Sequence, residues 1–401
     1  MRDLTIEKWV YGGDALARVP AEPGGNATSE GEAKQGRVVL IPFVLPGETV
    51  RVRFVDDLHA RAEQIAAASP DRVAPPCPLF TRCGGCHYQH APYEYQLARK
   101  VEILREQLRR VGKIRFEGEI GWISGPPFEY RNRVQLHIDR GRIGYRAAGS
   151  HEFIALEGGC PIASPRLQKS FELLRSRMRE PRFPKFVRSI ELFTNESEVQ
   201  VNVLESERPV AKWFYEWCES SEVIEYPALN RLFRVSPRSF FQVNRFLIDP
   251  LIDEAVGGGE GGSALDLYAG VGLFALTLGE RYGKVAAVEA GASAVRDLEF
   301  NARRAGIAVD ARQARVEEFM AKLDQAPDFV LADPPRVGLG KSVTAAFERL
   351  RPRRITVVSC DPATLARDLA ALPSYRIGRL TLIDLFPQTY HLETVAHLEL
   401  M

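Results

Sequence analysis

The sequence Ser-Ala-Leu-Asp-Leu-Tyr-Ala-Gly-Val-Gly, residues 263–272, determines the fold of the C-terminal half of the chain. Its apolar run ends in Gly270-Val-Gly272, which is typical of a buried strand that turns tightly into a helix. The next predicted strand, 284–288, ends in Glu289, which lies 23 residues after Asp266. Strand, glycine turn, helix, strand and acid in this order predict a βαβ unit that binds a nucleotide cofactor.

The glycine turn also indicates which cofactor is bound. Gly270 and Gly272 let the backbone approach the ligand, and a carboxylate at Glu289 is placed to accept hydrogen bonds from both ribose hydroxyls. The third glycine of the dinucleotide pattern is absent, because position 275 is alanine. The pattern therefore favours S-adenosylmethionine over a nicotinamide dinucleotide.

Two more motifs follow apolar runs in the same part of the chain. Asp333-Pro-Pro-Arg336 follows residues 329–332, and Ser359-Cys360-Asp361-Pro362 follows the β-branched run 355–358. The carboxyl ends of parallel strands meet at one edge of a sheet, where α/β domains bind their ligands. A lone cysteine is more often a small core residue. Three strand-end motifs in one domain nevertheless predict a single site in which Cys360 is a nucleophile.

Composition sets broad limits on the protein. The chain has 401 residues, of which 45% are hydrophobic and 26% charged, and its formal net charge is +1. These values are typical of a globular protein with two or three domains. No apolar run approaches the roughly 18 residues of a spanning helix, and the N-terminal residues lack the apolar core of a signal peptide. We therefore expect a cytoplasmic protein without a membrane partner, in which any nucleic-acid surface is local.

The cysteines form a pattern of their own. Three of the six fall within ten residues, which in a reducing compartment favours a metal site over disulfides. Cys77, Cys83 and Cys86 have the spacing C-x5-C-x2-C, and Cys160, which precedes a proline, is the natural fourth ligand. Four thiolates suit zinc or an iron–sulfur cluster, and this spacing favours [4Fe–4S] over zinc. No motif surrounds Cys218, which we expect to be structural.

The N-terminal residues 1–68 predict a small β domain. Two β-branched runs, 37–44 and 49–55, have the length of strands. Several short strands favour a small barrel of the oligonucleotide-binding type, although a plain structural β domain has the same pattern. The polar, glycine-rich segment 21–36 is predicted to be a hairpin loop.

Residues 69–235 mix helical and strand patterns and predict an α+β domain. Five arginines and one aspartate lie between positions 131 and 150, with Tyr145 among them. Such a strand pair predicts a surface for RNA phosphates and stacked bases, although a solvated strand face has the same pattern.

Together these motifs resemble the RNA uracil-C5 methyltransferases over nearly the whole chain, in particular the bacterial 23S ribosomal RNA type. The matching features are the cysteine spacing with Cys160, Phe240-Phe-Gln242-Val-Asn244, the turn 266–272, Asp333-Pro-Pro-Arg336, Ser359-Cys-Asp-Pro362 and His391-Leu-Glu393-Thr-Val395. The resemblance implies a TRAM-like RNA-binding β-barrel (1–68), a central RNA-binding α+β domain with the cysteine cluster (69–235) and a Rossmann-like class I methyltransferase domain (236–401).

The resemblance also implies a role for each site residue. Cys360 is similar to the family's nucleophile and Glu393 to its general base. The positions implied to contact S-adenosylmethionine are Gln242, Tyr268, Gly270, Gly272, Glu289 and Asp333. The positions implied to bind the [4Fe–4S] cluster are Cys77, Cys83, Cys86 and Cys160. The chain departs from the family at Leu273 and Arg315, where an amide or acid is common.

The chemistry explains these residue types. Uracil C5 is a weak nucleophile, so a thiolate must first add at C6 to make C5 reactive toward the methyl group. A carboxylate must then remove the C5 proton so that the thiolate can leave. We expect the site to lower the pKa of Cys360, because the thiolate is the reactive form.

The function hypothesis is therefore S-adenosylmethionine-dependent methylation of uracil C5 in RNA by a monomer, giving 5-methyluridine. Ribosomal RNA is the expected substrate and transfer RNA the alternative. An iron–sulfur, dinucleotide-dependent oxidoreductase and a non-catalytic RNA-binding protein are the competing hypotheses.

Overall fold

The structure is a computed structural model that describes residues 2–20 and 36–401. The predicted hairpin loop 21–36 therefore lies outside the described residues, except for Gly36. The chain divides into two compact units. The first comprises residues 1–103, 147–151 and 387–391, and the second comprises residues 104–146, 152–386 and 392–401.

The first unit contains a curled antiparallel sheet. Its strands are β1 (Arg2–Trp9), β2 (Asp14–Val19), β3 (Arg37–Pro42), β4 (Thr49–Phe54) and β5 (Ala60–Ala67). They lie in the order β3-β2-β1-β4-β5. The sheet curls so far that its two ends touch at one point, where Leu40 of β3 forms an isolated bridge with His59 beside β5 and donates its N–H to Leu58 O at 2.7 Å. This half-barrel confirms the predicted small β-barrel fold.

A turn-rich segment carries three of the cysteines in the first unit. Cys83 N donates to Leu79 O at 2.9 Å, so residues 79–83 form a tight turn. Further along, the ring of Tyr88 stacks on Trp9 with centroids 3.9 Å apart. Helix α1 (Tyr93–Arg110) follows.

The central part of the second unit is an antiparallel sheet with helices. After the short strand β6 (Ile120–Ile123), the elements are β7 (Arg133–Asp139), β8 (Arg142–Arg146), β9 (Phe153–Ala155), α2 (Pro165–Met178), β10 (Val187–Thr194), β11 (Val199–Ser206), α3 (Lys212–Trp217), β12 (Ile224–Ala228) and β13 (Arg231–Val235). Five of the strands form a sheet in the order β11-β10-β7-β8-β9, and β12 and β13 form a hairpin.

The C-terminal part is a doubly wound α/β domain, as predicted. Its elements are α4 (Ile248–Val256), β14 (Gly261–Leu267), α5 (Leu273–Leu278), β15 (Tyr282–Glu289), α6 (Ala292–Ala305), β16 (Asp310–Gln313), α7 (Val316–Lys322), β17 (Phe329–Ala332), α8 (Gly340–Leu350), β18 (Arg354–Ser359), α9 (Pro362–Ala370), β19 (Tyr375–Ile383) and β20 (Glu393–Leu400). The eight-stranded sheet has the order β16-β15-β14-β17-β18-β20-β19-β6.

Strand direction places the site in this sheet. Strands β14 to β18 are parallel to their neighbours, and β20 runs antiparallel beside β18. The carboxyl ends of the parallel strands and the amino end of β20 therefore share one edge. Buried β-branched and aliphatic side chains fill these strands, since helices cover a sheet of this class on both faces.

One strand of this sheet comes from far away in the sequence. Strand β6 pairs in parallel with β19, with Ile120 opposite Leu380.

Among the described residues, no helix has the length and apolar character needed to cross a membrane.

Candidate active site

The predicted site residues of the α/β domain lie at the ends of neighbouring strands. Tyr268 follows β14, Glu289 ends β15, Asp333 follows β17, Cys360 follows β18 and Glu393 begins β20. All these positions are at the same edge of the sheet, so the three motifs predicted to share a site do so.

Cys360 and Glu393 are neighbours across two antiparallel strands. Ser359 of β18 is paired with Thr394 of β20, so the next residues in register are Cys360 and Glu393. Glu393 is buried, and Cys360 is partly exposed. Asp361 begins helix α9 by accepting hydrogen bonds from Ala363 N and Thr364 N, which fixes the backbone directly after the cysteine.

The protein's own groups hold both side chains in their protonated forms. Burial raises the pKa of Cys360 to about 12, and the nearby Glu393, Asp333 and Asp361 add to this effect. Burial and the charge of Asp333 likewise raise the pKa of Glu393 well above its usual range, and Arg336 opposes this effect. The expectation that the site lowers the pKa of Cys360 is therefore wrong for the protein by itself, because the thiol is largely buried and the carboxylates around it outnumber the single cation, Arg336.

Asp333, at the same edge of the sheet, is hydrogen-bonded to Gln242. Gln242 is buried, and its Nε2 donates to Asp333 Oδ2 at 3.4 Å. Burial raises the pKa of Asp333 to about 7. A carboxyl that titrates near neutrality beside a buried amide can either donate or accept a hydrogen bond, which suits it to hold a polar ligand.

The glycine turn has the geometry that a cofactor needs. Tyr268, Gly270 and Gly272 have φ values of +64°, +53° and +92°, so the chain passes through the left-handed region three times within five residues. A Cβ at Gly270 would meet nothing within 4 Å. The turn is open on this side, so a ligand can approach its backbone closely, which fits S-adenosylmethionine.

Glu289 is anchored beside this turn. Its Oε2 accepts from Gly270 N at 3.0 Å and its Oε1 from Gly291 N at 2.6 Å. Each carboxylate oxygen can accept a further hydrogen bond, so the residue retains the acceptors that a ribose diol requires.

Helix α6 holds the segment that carries Gln242, a role that no sequence motif predicted. Asp297 is buried and accepts hydrogen bonds from Ser236 N, Ser236 Oγ and Ser239 Oγ at 2.8, 2.6 and 2.8 Å. One turn later, Asn301 Nδ2 donates to Val271 O in the glycine turn at 3.1 Å. Asp297 and Asn301 are polar residues four positions apart on an otherwise apolar helix face, and this spacing could have predicted their role from the sequence.

The residue before β7 and the first residue of β7, in the central sheet, also hold the segment that carries Gln242. Asn132 Nδ2 donates to Gln242 O at 3.0 Å, and Arg133 Nη2 donates to Ser239 O at 3.1 Å. Arg133 also pairs with Glu191 at 3.1 Å and has only 11% of its side chain exposed. The expectation that Arg133 belongs to an RNA-facing strand surface is therefore wrong, while Arg140, Arg142 and Arg146 are exposed as predicted.

The predicted cysteine ligands are divided between the two units. Cys77, Cys83 and Cys86 belong to the first unit, and Cys160 belongs to the second. Within residues 2–20 and 36–401, no three His, Cys, Asp or Glu side chains form a group that could hold a metal ion. Thiolates are the ligands that iron–sulfur clusters and structural zinc sites require. Cys218 is buried, and burial raises its pKa to about 12, as fits a structural cysteine.

Comparison with known proteins agrees with this geometry. The family described as tRNA (Uracil-5-)-methyltransferase matches residues 220–400. An RNA methyltransferase of Aquifex aeolicus is 33% identical over 439 residues, covering 99% of this chain and 98% of that protein. The 23S rRNA (uracil(1939)-C(5))-methyltransferase RlmD of Pectobacterium atrosepticum is 30% identical, and the alignment covers 98% of this chain and 96% of that protein.

A solved structure confirms the fold. The tRNA (uracil-54, C5)-methyltransferase of Pyrococcus abyssi, determined with S-adenosyl-L-homocysteine, superposes with a TM-score of 0.74 at 24% identity. The match covers 98% of this chain and all of that one.

A class I methyltransferase domain with a cysteine and a glutamate at adjacent strand ends defines the class of the enzyme. Given the relatives above, this chain belongs to the RNA uracil-C5 methyltransferase family and is an S-adenosylmethionine-dependent enzyme that acts on RNA. This result favours the methyltransferase hypothesis over the oxidoreductase and the non-catalytic hypotheses.

Proposed function

We propose that the protein methylates uracil C5 in 23S ribosomal RNA, with Cys360 as nucleophile and Glu393 as general base. The observation that supports this most strongly is the register of β18 and β20, which sets the thiol beside a buried carboxyl at the edge where the glycine turn lies. The chemistry needs these two groups and a methyl donor at one place.

Each residue performs one part of the reaction. The Cys360 thiolate forms a bond to C6, and the electron pair of the C5–C6 double bond moves toward C5 and the adjacent carbonyl. When bound, S-adenosylmethionine would supply the electrophilic methyl group: C5 forms a bond to that carbon, the bond between sulfur and methyl breaks, and S-adenosylhomocysteine is the leaving group. Glu393 then removes the C5 proton, the C5–C6 double bond re-forms, and the sulfur leaves C6 as thiolate.

The remaining site residues position the reactants. Gly270, Gly272 and Glu289 hold the nucleoside part of the cofactor, with Tyr268 beside them. Gln242 and Asp333, which are joined by a hydrogen bond, lie where they can contact the cofactor and the polar edge of uracil. The target base must leave its stack to reach a site at a sheet edge, which favours a single-stranded or loop segment of RNA.

Release of tritium from RNA labelled at uracil C5 tests this function. Wild-type protein is expected to release tritium only with S-adenosylmethionine, and Cys360→Ala is expected to release none. Cys218→Ala is the matched control, because it removes a buried thiol outside the proposed site and should retain activity. Release by Cys360→Ala at the wild-type rate would rule out the covalent mechanism.

The RNA target is proposed from the full-length relatives that are named for uracil 1939 of 23S rRNA. Transfer RNA is the second candidate, because the matching family and the solved neighbour are named for it. Transcripts of both RNAs, methylated with labelled cofactor and digested, distinguish the two. Label confined to transfer RNA would exclude the ribosomal proposal.

We further propose that Cys77, Cys83, Cys86 and Cys160 bind a [4Fe–4S] cluster with a structural role. The support is the thiol set and its spacing, with zinc as the alternative. Iron, zinc and acid-labile sulfide should be measured on protein purified without oxygen. Cys83→Ser is expected to lose iron and sulfide while Cys218→Ser keeps both. Zinc without sulfide, or no metal, would overturn the cluster.

The domain division also remains part of the proposal. Residues 1–68 and 69–235 would bind RNA, residues 236–401 would carry out methylation, and the enzyme would act as a cytoplasmic monomer.

A further inference from the structure

The second unit carries a local excess of positive charge outside the active-site residues. Residues 165–188 contain eight lysines and arginines and two glutamates, a net charge of +6 in a chain whose total is +1. This segment begins with α2 and ends in β10. Its exposed cations are Lys169, Arg179, Arg182, Lys185 and Arg188.

An exposed indole lies beside this segment. The guanidinium of Arg182 is 4.2 Å from the ring centroid of Trp217 and 6.0 Å from that of Trp213. Arg177 also lies over Trp217, at 5.1 Å. Trp213 is 42% exposed, although a tryptophan at the surface would gain from being covered. We call Arg177, Arg179, Arg182, Lys185 and Trp213 the α2–α3 surface.

The charge on this surface is only partly neutralised within the protein. Glu180 is shared by Arg177 at 3.2 Å and Arg182 at 3.3 Å. More than half of the Arg182 side chain is still exposed. One carboxylate between two guanidinium groups leaves a positive surface beside an indole ring.

This combination fits a single-stranded nucleic acid. Cations neutralise phosphates, and an exposed aromatic ring stacks on any base that is not already stacked. An acidic protein partner would satisfy the cations but would have no particular use for the indole. We propose that the α2–α3 surface binds a single-stranded RNA segment, which in the RNA substrate flanks the target uridine. The inference rests on the proposed function only in taking RNA as the substrate.

Binding of an RNA that cannot be methylated tests the surface independently of the chemistry. The probe is a fluorescein-labelled 20-nucleotide RNA of A and C only, followed by anisotropy over a range of salt concentrations. For Arg179→Gln/Arg182→Gln/Lys185→Gln, the slope of log K against log salt is expected to fall by about 2, since each phosphate contact on a single strand contributes roughly 0.7. The matched control, Arg296→Gln/Arg303→Gln/Lys322→Gln, removes three exposed cations elsewhere and should leave the slope unchanged.

Two substitutions of Trp213 test the contribution of its indole ring. Trp213→Ala is expected to weaken binding of the probe about tenfold, whereas Trp213→Phe keeps a stacking face and should weaken it much less. On a uridine-containing substrate, both the triple variant and Trp213→Ala should raise KM for RNA with kcat unchanged. Thermal unfolding of each variant shows whether the fold is retained.

The outcomes separate this proposal from the proposed function. An equal fall in slope for the two triple variants, or equal binding by Trp213→Ala and wild type, would overturn the surface while leaving methylation intact. Binding that depends on the α2–α3 surface without any tritium release would keep the surface and refute the function. The same variants should also be tested for binding to phosphatidylserine vesicles. If they bind the RNA probe as the wild type does but lose binding to vesicles, the surface faces a membrane and not RNA.

Discussion

At the scale of single residues, the site is governed by carboxyl groups that surround a thiol. Burial raises the pKa values of Cys360, Glu393 and Asp333, and neighbouring carboxylates add to this effect at Cys360 and Glu393. The reaction nevertheless requires a thiolate and a carboxylate. S-adenosylmethionine carries a positive sulfonium, which opposes both effects, so binding of the cofactor and ionisation of the site should be linked.

Alkylation of Cys360 should report this linkage. Because its pKa is raised to about 12, the thiolate fraction is small at pH 7 and grows about tenfold with each pH unit. The rate of carbamidomethylation at Cys360, followed by mass spectrometry, should therefore rise without a plateau from pH 7 to pH 10. S-adenosylmethionine should increase the rate more than S-adenosylhomocysteine, which has the same shape but no positive charge. A plateau below pH 8 in the protein alone would contradict the raised pKa.

Replacement of the proposed base should stop the reaction after methyl transfer. In Glu393→Gln the amide cannot remove the C5 proton, so the bond between sulfur and C6 has no route to break. A protein–RNA adduct that survives denaturing electrophoresis and carries the labelled methyl group is expected. The double variant Cys360→Ala/Glu393→Gln is the control and should form none. Tritium release by Glu393→Gln at the wild-type rate would assign the base to another residue.

At the scale of secondary-structure elements, the turn between β14 and α5 combines two glycines with different constraints. Gly270 faces open space, whereas a Cβ at Gly272 would lie 2.9 Å from Leu276 Cδ1 and 3.1 Å from Leu298 Cγ. One glycine is therefore needed for a ligand to approach, and the other for α5 to pack.

Alanine substitutions should separate these two roles. Gly270→Ala is expected to cost about 1 kcal/mol of stability for its left-handed backbone and to weaken S-adenosylhomocysteine binding strongly. Gly272→Ala carries a comparable backbone cost plus roughly 1–3 kcal/mol from overpacking, so its thermal midpoint should be the lower of the two. Calorimetric titration and thermal unfolding of both variants measure the difference. Unchanged affinity in Gly270→Ala would mean that the cofactor does not approach this turn.

The elements also show what the sequence could predict. Motifs at strand ends were enough to predict that Cys360, Asp333 and the glycine turn share one site, because the carboxyl ends of parallel strands lie at one edge of the sheet. The burial of Arg133 could not be predicted, since it depends on Glu191 and Phe193 of another strand. The raised pKa of Cys360 could not be predicted for the same reason, because it follows from burial and from carboxylates that come together only in three dimensions.

At the scale of the whole molecule, the α/β sheet is completed by a strand from outside residues 236–401. Strand β6 has only four residues and lies about 250 positions before its partner β19, so no local pattern revealed it. Ile120 of β6 is buried, and Gly121 next to it has open space where a Cβ would lie.

Neighbouring substitutions in β6 should show how much this strand contributes. Ile120→Ala is expected to lower the free energy of unfolding of the α/β part by roughly 2–4 kcal/mol, as for other buried aliphatic truncations. Gly121→Ala should be neutral or slightly stabilising, because nothing obstructs the methyl group and the unfolded chain loses freedom. Urea unfolding of the full chain, monitored by loss of S-adenosylhomocysteine binding, compares the two. Equal midpoints would mean that β6 is dispensable.

The position of β6 has a consequence for how the protein is made. At about 5–20 residues per second, Ile120–Ile123 leaves the ribosome on the order of 10–50 seconds before β19 exists. The first unit is likewise incomplete until residues 387–391 are synthesised. Both units can therefore be completed only near the end of translation, and until then the unpaired β6 is exposed to pairing with another sheet edge.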